Sequence, residues 1–167
     1  MLTAKDLIEY LKLQPHPKEG GYFRETYRAD EGIAAPPARY PGARSFCTAI
    51  YYLLTPDSYS AIHRVASDEI FHFYLGDPVR MLQLEEGGTG RTLLLGSDLL
   101  HGQQPQVVVR RGVWQGSILE PGGAFALFGC TVSPGFDYAD YEHGKRQALT
   151  QQFPGFAELI RRLTVEG

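Results

Sequence analysis

Sulfur and indole are scarce in this chain: two Cys, two Met and one Trp in 167 residues. Cys47 and Cys130 each lie inside an apolar, strand-like run, and neither belongs to a Cys-x-x-Cys pair. A disulfide framework therefore finds no support, and two reduced, partly buried thiols in a cytoplasmic protein are expected. Long apolar runs are missing too. No stretch approaches the roughly 18 apolar residues of a membrane span, and the opening MLTAKDLIEYLKLQ mixes charge with its apolar residues, unlike a signal peptide. The chain also lacks a basic stripe. Its net charge is −3, which argues against a nucleic-acid partner as well as a membrane one. With no internal repeat and no linker, residues 1–167 are expected to form a single domain.

What the sequence does have is aromatic residues in short runs, ten Tyr and nine Phe among them. The first element is a helix capped by Thr3, with Asp6 three residues on, as in a capping box. Pro15 and Pro17 end it. After Gly20-Gly21, which allows a tight turn, YFRETYR reads as a strand, and EGIAAPPARYPG as a loop. From Arg44 strand follows strand: RSFCTAIYYLL, SAIHRV, EIFHFYL, VRMLQL, RTLLL, QVVVR, VWQGSIL and GAFALFGCTV. Turn chemistry such as TPDS, GDP, EEGGTG and EPGG separates them. KRQALTQQF and FAELIRRL are helical runs divided by Pro154-Gly155. Many short strands with such spacing predict a β-barrel or jelly roll with helical ends.

The chemistry concentrates in HRVASDEIFHFYLG, residues 63–76. Side chains alternate along a strand, so Glu69, Phe71, Phe73 and Leu75 are expected on one face and Ile70, His72 and Tyr74 on the other. His72 can share a site with Glu69 only through a bulge. His63 meets Glu69 if the turn ASD folds the two strands into a hairpin. A buried imidazole beside a carboxylate can serve as an acid–base pair, or stand as a satisfied polar pair with no chemistry.

The run His63-x-Val65-x3-Glu69-x6-Gly76 resembles the first motif of the cupin superfamily, with Val65 where a second histidine is usual. Arg110-Arg111-Gly112-Val113-Trp114-Gln115 resembles the second motif, with Arg110 for its proline and Gln115 for its histidine. With the flanks HPKEGGYFRETYR, VWQGS and CTVSPGFDYAD, nearly the whole chain is similar to the cupin-5-type family of single-domain cupins with unassigned function. That resemblance implies a mainly β fold, the double-stranded β-helix or cupin jelly-roll barrel with short terminal helices, a pocket at the barrel mouth, and a homodimer. A fold hosts many chemistries, so the site must decide.

Of the usual cupin ligands only His63 and Glu69 remain at motif positions, and Gln115 offers a neutral carbonyl oxygen, a poor donor to a first-row metal. No cofactor is therefore expected. The leading expectation is a small polar ligand, a sugar or sugar derivative, and metal-independent epimerisation or isomerisation. His63 would be the base, Glu69 its orienting partner, and Gln115 a ligand-binding group with Tyr51 and Tyr138. A divalent-metal enzyme, an oxygenase or isomerase built on His63, Glu69 and Gln115, is the alternative. A non-catalytic ligand-binding protein is the third. Trp114, opposite in parity to Gln115, is expected between layers, and His16 and His101 as surface or turn residues. Glu19 and the SPGFDYADYE stretch could line the pocket.

Overall fold

The capping box forms as its spacing predicts. Thr3 Oγ1 accepts from the Asp6 amide and the Asp6 carboxylate accepts from the Thr3 amide, opening α1 (Ala4–Leu11). The computed structural model describes residues 2–165. After α1 come β1 (Gln14–Pro15), β2 (Tyr22–Arg28), β3 (Gly32–Ile33), β4 (Arg44–Ser45), β5 (Thr48–Leu54), β6 (Tyr59–Arg64) and β7 (Asp68–Gly76). Then follow β8 (Val79–Leu84), β9 (Gly90–Leu95), β10 (Gln106–Val109), β11 (Trp114–Leu119), β12 (Ala126–Ser133) and β13 (Glu142–His143). Helices α2 (Arg146–Gln152) and α3 (Ala157–Arg162) come last. The run RSFCTAIYYLL, read as one strand, is split at Phe46-Cys47 into β4 and β5.

The strands form two facing antiparallel sheets, ordered β1-β2-β5-β12-β7-β10 and β13-β6-β11-β8-β9, and β3 pairs β4 apart from them. The sheets are packed as a jelly-roll sandwich and do not close into one continuous ladder. Their inner faces hold the main core, with Tyr52, Phe71, Met81 and Phe128 all buried. Fully burying an apolar side chain of this size contributes about 1.5–3 kcal/mol, so the alternation of each strand settles which face turns inward. The outer face of the five-stranded sheet is covered by α2 and α3 through Leu149, Phe153 and Ile160 on Ile62, Leu82 and Leu84. α1 covers only one end of the six-stranded sheet's outer face, through Leu7 on Leu53 and Leu127.

Two departures from strict alternation shape the interior. Between β7 and β12 the register slips after the Phe73–Phe128 pair, so that Leu75 faces Leu127. Tyr74 is the extra residue. Leu75, expected on the Glu69 face, therefore packs outside with Leu53 and Leu127, while Phe71 and Phe73 stay on the inner core. Between β6 and β11 the pairs are Gln115–His63 and Ser117–Ser60, again one residue out of step. Gly76, the motif's closing glycine, has φ 102°, and a Cβ there would lie 2.3 Å from the Phe125 carbonyl oxygen. Only glycine fits that turn.

Candidate functional site

His63 and Glu69 come together, but not as a hairpin. β6 belongs to the five-stranded sheet and β7 to the six-stranded one, so the two side chains meet across the sandwich. Gln115, cross-strand neighbour of His63, stands between them. Its amide nitrogen lies 2.9 Å from His63 Nε2 and 2.9 Å from Glu69 Oε2. His63 Nδ1 lies 2.8 Å from the Ala61 carbonyl, which can only accept, so Nδ1 carries the proton and Nε2 accepts from the amide. Tyr141 stacks on the imidazole with ring centroids 5.0 Å apart. Burial pushes the His63 pKa down and the Glu69 pKa up, because it disfavours the charged form of each. Cys130 Sγ donates to Glu69 Oε1 at 3.3 Å, and its own pKa is pushed well up by burial and by that carboxylate.

The Gln115 side chain is 1% exposed, and its carbonyl oxygen Oε1 has no hydrogen-bond partner within the protein. Buried polar atoms are nearly always paired, so an orphan acceptor here calls for a donor from outside the chain. Gln115 lines a cavity of about 270 Å³ that opens between the sheets. Glu69, Cys130, Ser60, Glu19 and His16 supply its polar end. Phe23, Ile50, Tyr52, Phe71, Val132 and Phe136 supply its walls.

The N-terminal segment completes the polar end. Gly20, at φ 94°, approaches β6 so closely that a Cβ would meet the Tyr59 carbonyl oxygen at 2.5 Å, and the neighbouring Glu19 carbonyl accepts from the Ala61 amide. That docking carries the Glu19 carboxylate inward. Oε1 lies 3.5 Å from His63 Nε2 and 3.6 Å from His16 Nε2, and burial raises the Glu19 pKa. His16, expected as a surface or turn residue, is buried instead. Its Nδ1 accepts from the amides of Glu19 and Lys18, and burial lowers its pKa. Because Nδ1 accepts, the ring proton sits on Nε2, facing Glu19. The sequence signal was the compact HPKEGG, where His and Glu three apart precede two glycines that let a loop turn inward.

The other expected residues divide. Tyr138 lines the cavity, edge-on to Phe136 with centroids 5.0 Å apart. Tyr51 does not reach it. It lies on the opposite face of β5 from Thr48, Ile50 and Tyr52, against Tyr74 and Arg24, because neighbours on a strand point to opposite sides. His63, expected as the base, is not among the cavity-lining residues, and both its nitrogens are already engaged, so it holds Gln115 instead of facing a ligand. His72 faces outward beside Gln106 and Thr131, since the β7 slip falls beyond it at Tyr74. Trp114 packs with the α2–α3 layer under Arg64.

A divalent metal fits this set poorly. An amide nitrogen has no lone pair to give, and here it occupies the place between imidazole and carboxylate. Among the described residues no group of three or more His, Cys, Asp or Glu could hold a metal ion.

Two facing antiparallel sheets with an imidazole and a carboxylate bridged between them are in keeping with a cupin. Residues 5–144 match the family described as Cupin superfamily (DUF985), and the chain belongs to that family. It is similar to the Uncharacterized protein YML079W of Saccharomyces cerevisiae, 31% identical over 149 residues, 83% of this chain and 74% of the yeast protein. Among solved structures it is similar to a hypothetical protein from Leishmania major, with TM-score 0.89 and 32% identity over 99% of this chain and 100% of that one. It is likewise similar to protein SO0799 from Shewanella oneidensis, with TM-score 0.87 and 34% identity over the full length of both. No helix among the described residues is long and apolar enough to cross a membrane.

Proposed function

We propose that this cupin binds a small molecule in the cavity between its sheets and exchanges protons with it without a metal, as an isomerase or epimerase does. The observation that carries the reading is the buried Gln115 oxygen, unpartnered beside a carboxylate whose proton affinity burial has raised. Gln115 Oε1 would fix the polar end of the ligand, and Glu69 would be the group that takes and returns the proton. A carboxylate moved towards neutrality by an apolar setting suits that task. His63 acts behind them as a positioning residue. Its lone pair on Nε2 orients the amide so that the nitrogen faces inward protein and the oxygen faces the ligand.

The cavity limits the ligand. At about 270 Å³ it holds roughly nine waters of about 30 Å³ each, and most of its wall is aromatic or aliphatic. A compact molecule with an apolar body and one polar end suits it better than a polyhydroxylated sugar. A homodimer belongs to the same proposal. Tyr27, Tyr74 and Val108 are exposed on the outer face of the six-stranded sheet, beyond the end that α1 covers, and a second copy would bury them.

The test begins with a metabolite thermal-shift screen, since a ligand stabilises the folded state by mass action. Each hit is then incubated with the protein in deuterated solvent and followed by proton NMR. Loss of a C–H signal with the wild-type chain, abolished in Glu69→Gln, supports the reading. Tight binding with no exchange makes the protein a carrier instead.

A further inference from the structure

At the closed end of the cavity the buried polar atom left without a partner is an acceptor. Gln115 Oε1 has no partner, and the Glu69 and Glu19 carboxylates line the same cavity. The nearby donors are already committed: the Gln115 amide to His63 and Glu69, the Cys130 thiol to Glu69, the Ser60 hydroxyl to Glu19 at 3.5 Å, the Tyr52 hydroxyl to the Gly20 carbonyl, and the His16 Nε2–H turned to Glu19 at 3.6 Å. The charge is unbalanced as well. Glu69 is buried, at 6% exposure, the Glu19 side chain is mostly buried, at 12%, and among the described residues no lysine or arginine forms an ion pair with either. Both imidazoles beside them are in neutral hydrogen-bonding patterns, His63 accepting at Nε2 and His16 at Nδ1. Arg28 stands at the cavity wall, but Glu25 holds it with two bonds and the Phe136 carbonyl takes a third. Two buried carboxylates without a counter-charge are costly, and something must supply either protons or a cation.

We propose that the cavity takes a small organic cation, an amine in its ammonium form, whose N–H groups reach Gln115 Oε1, Glu69 and Glu19 while its apolar body lies against Phe23, Phe71 and Phe136. A neutral alcohol would satisfy the Gln115 oxygen but leave both carboxylates unbalanced. An anion would meet two carboxylates at that end. This inference rests on reading the cavity as a ligand site, and not on turnover there.

Phenethylamine, 2-phenylethanol and phenylacetate share one body and differ in the head group, and each is small enough for the cavity. Isothermal titration of the full chain at neutral pH is expected to rank the amine at least about tenfold tighter than the alcohol, the worth of one charge-assisted hydrogen bond, with phenylacetate not binding. Glu69→Gln and Glu19→Gln are each expected to weaken the amine by about tenfold and leave the alcohol nearly unchanged. Equal affinity for amine and alcohol, with both lost in Gln115→Leu, overturns the cationic head and leaves the cavity as a ligand site. No binding by any of the three overturns both readings. Manganese chloride titrated alone is a further arm: a metal that binds and then excludes phenethylamine overturns the amine in favour of a metal ion. If Glu69→Gln fails to fold, Glu19→Gln and the head-group ranking on the wild-type chain decide the matter.

Discussion

Gln115 can serve His63 and Glu69 together only through its two amide hydrogens, one to the imidazole lone pair and one to the carboxylate. Both protonation states are thus tied to one side chain. His63→Ala would strip the amide of an acceptor and open a void beneath Tyr141, and it is expected to destabilise the fold by about 2–4 kcal/mol in urea denaturation. Its effect on any ligand should follow the loss of Gln115 orientation. The pH dependence separates the residues further. Glu69 has its folded pKa raised by burial above the usual 4.5, so its contribution favours folding at low pH and is lost as pH rises through the raised value. Glu69→Gln removes that loss. The variant should therefore gain stability relative to wild type as the pH rises above the usual carboxylate value of 4.5, read from urea midpoints across a pH series. For His63 the sign is opposite: its folded pKa lies below 6.5, and the stability it contributes above that value is lost on acidification.

At the scale of elements, two pieces of chain at the ends of strands each depend on one residue. The segment from Ser133 to Glu142 carries Phe136 and Tyr138 to the cavity, and it is pinned by Arg44, whose guanidinium donates twice to Asp140. The pair is almost wholly buried, with side chains 5% and 3% exposed, and the carboxylate beside it raises the Arg44 pKa. Asp140→Ala would leave the buried guanidinium with only the Gly42 and Ala43 carbonyls and no counter-charge, at an expected cost of about 3 kcal/mol by thermal or urea unfolding. The turn after β7 is the second case. Gly76→Ala combines a positive φ with a clash against the Phe125 carbonyl, whereas Gly112, at φ 78°, has open space around its missing Cβ. Gly76→Ala is expected to cost more than the roughly 1 kcal/mol of conformational strain that Gly112→Ala incurs, and side-by-side urea midpoints check the order.

At the scale of the molecule, three layers of contact hold the sandwich: the inner core, the α2–α3 cover and the partial α1 cover. The uncovered part of the six-stranded sheet leaves Tyr74 50% and Tyr27 55% exposed, the surface assigned above to a second copy. Light scattering coupled to gel filtration at micromolar concentration is expected to give twice the chain mass, and Tyr27→Glu with Tyr74→Glu to give the monomer. A wild-type monomer would remove the dimer from the proposal. Strand runs, caps and turns were legible in the chain because alternation, Gly-rich turns and capping spacings act over a few residues. So was the resemblance carried by His63, Glu69, Gly76 and Gln115. Alternation alone puts Leu75 on the Glu69 face, and the structure puts it, like Tyr51, on the other. Nothing local said which side of β5 turned inward, and one extra residue at Tyr74 reversed the alternation.

The chain alone settled the longer strands, the first helix with its cap, and the family, since these rest on residue types at short spacings. Which side chains share the cavity was decided only when two sheets packed face to face. His63 and Glu69 belong to different sheets, His16 and Glu19 arrive on a loop docked by Gly20, and the orphan oxygen of Gln115 exists because its nitrogen is held from two directions. Such meetings depend on register, bulges and sheet packing over tens of residues, which no local pattern encodes.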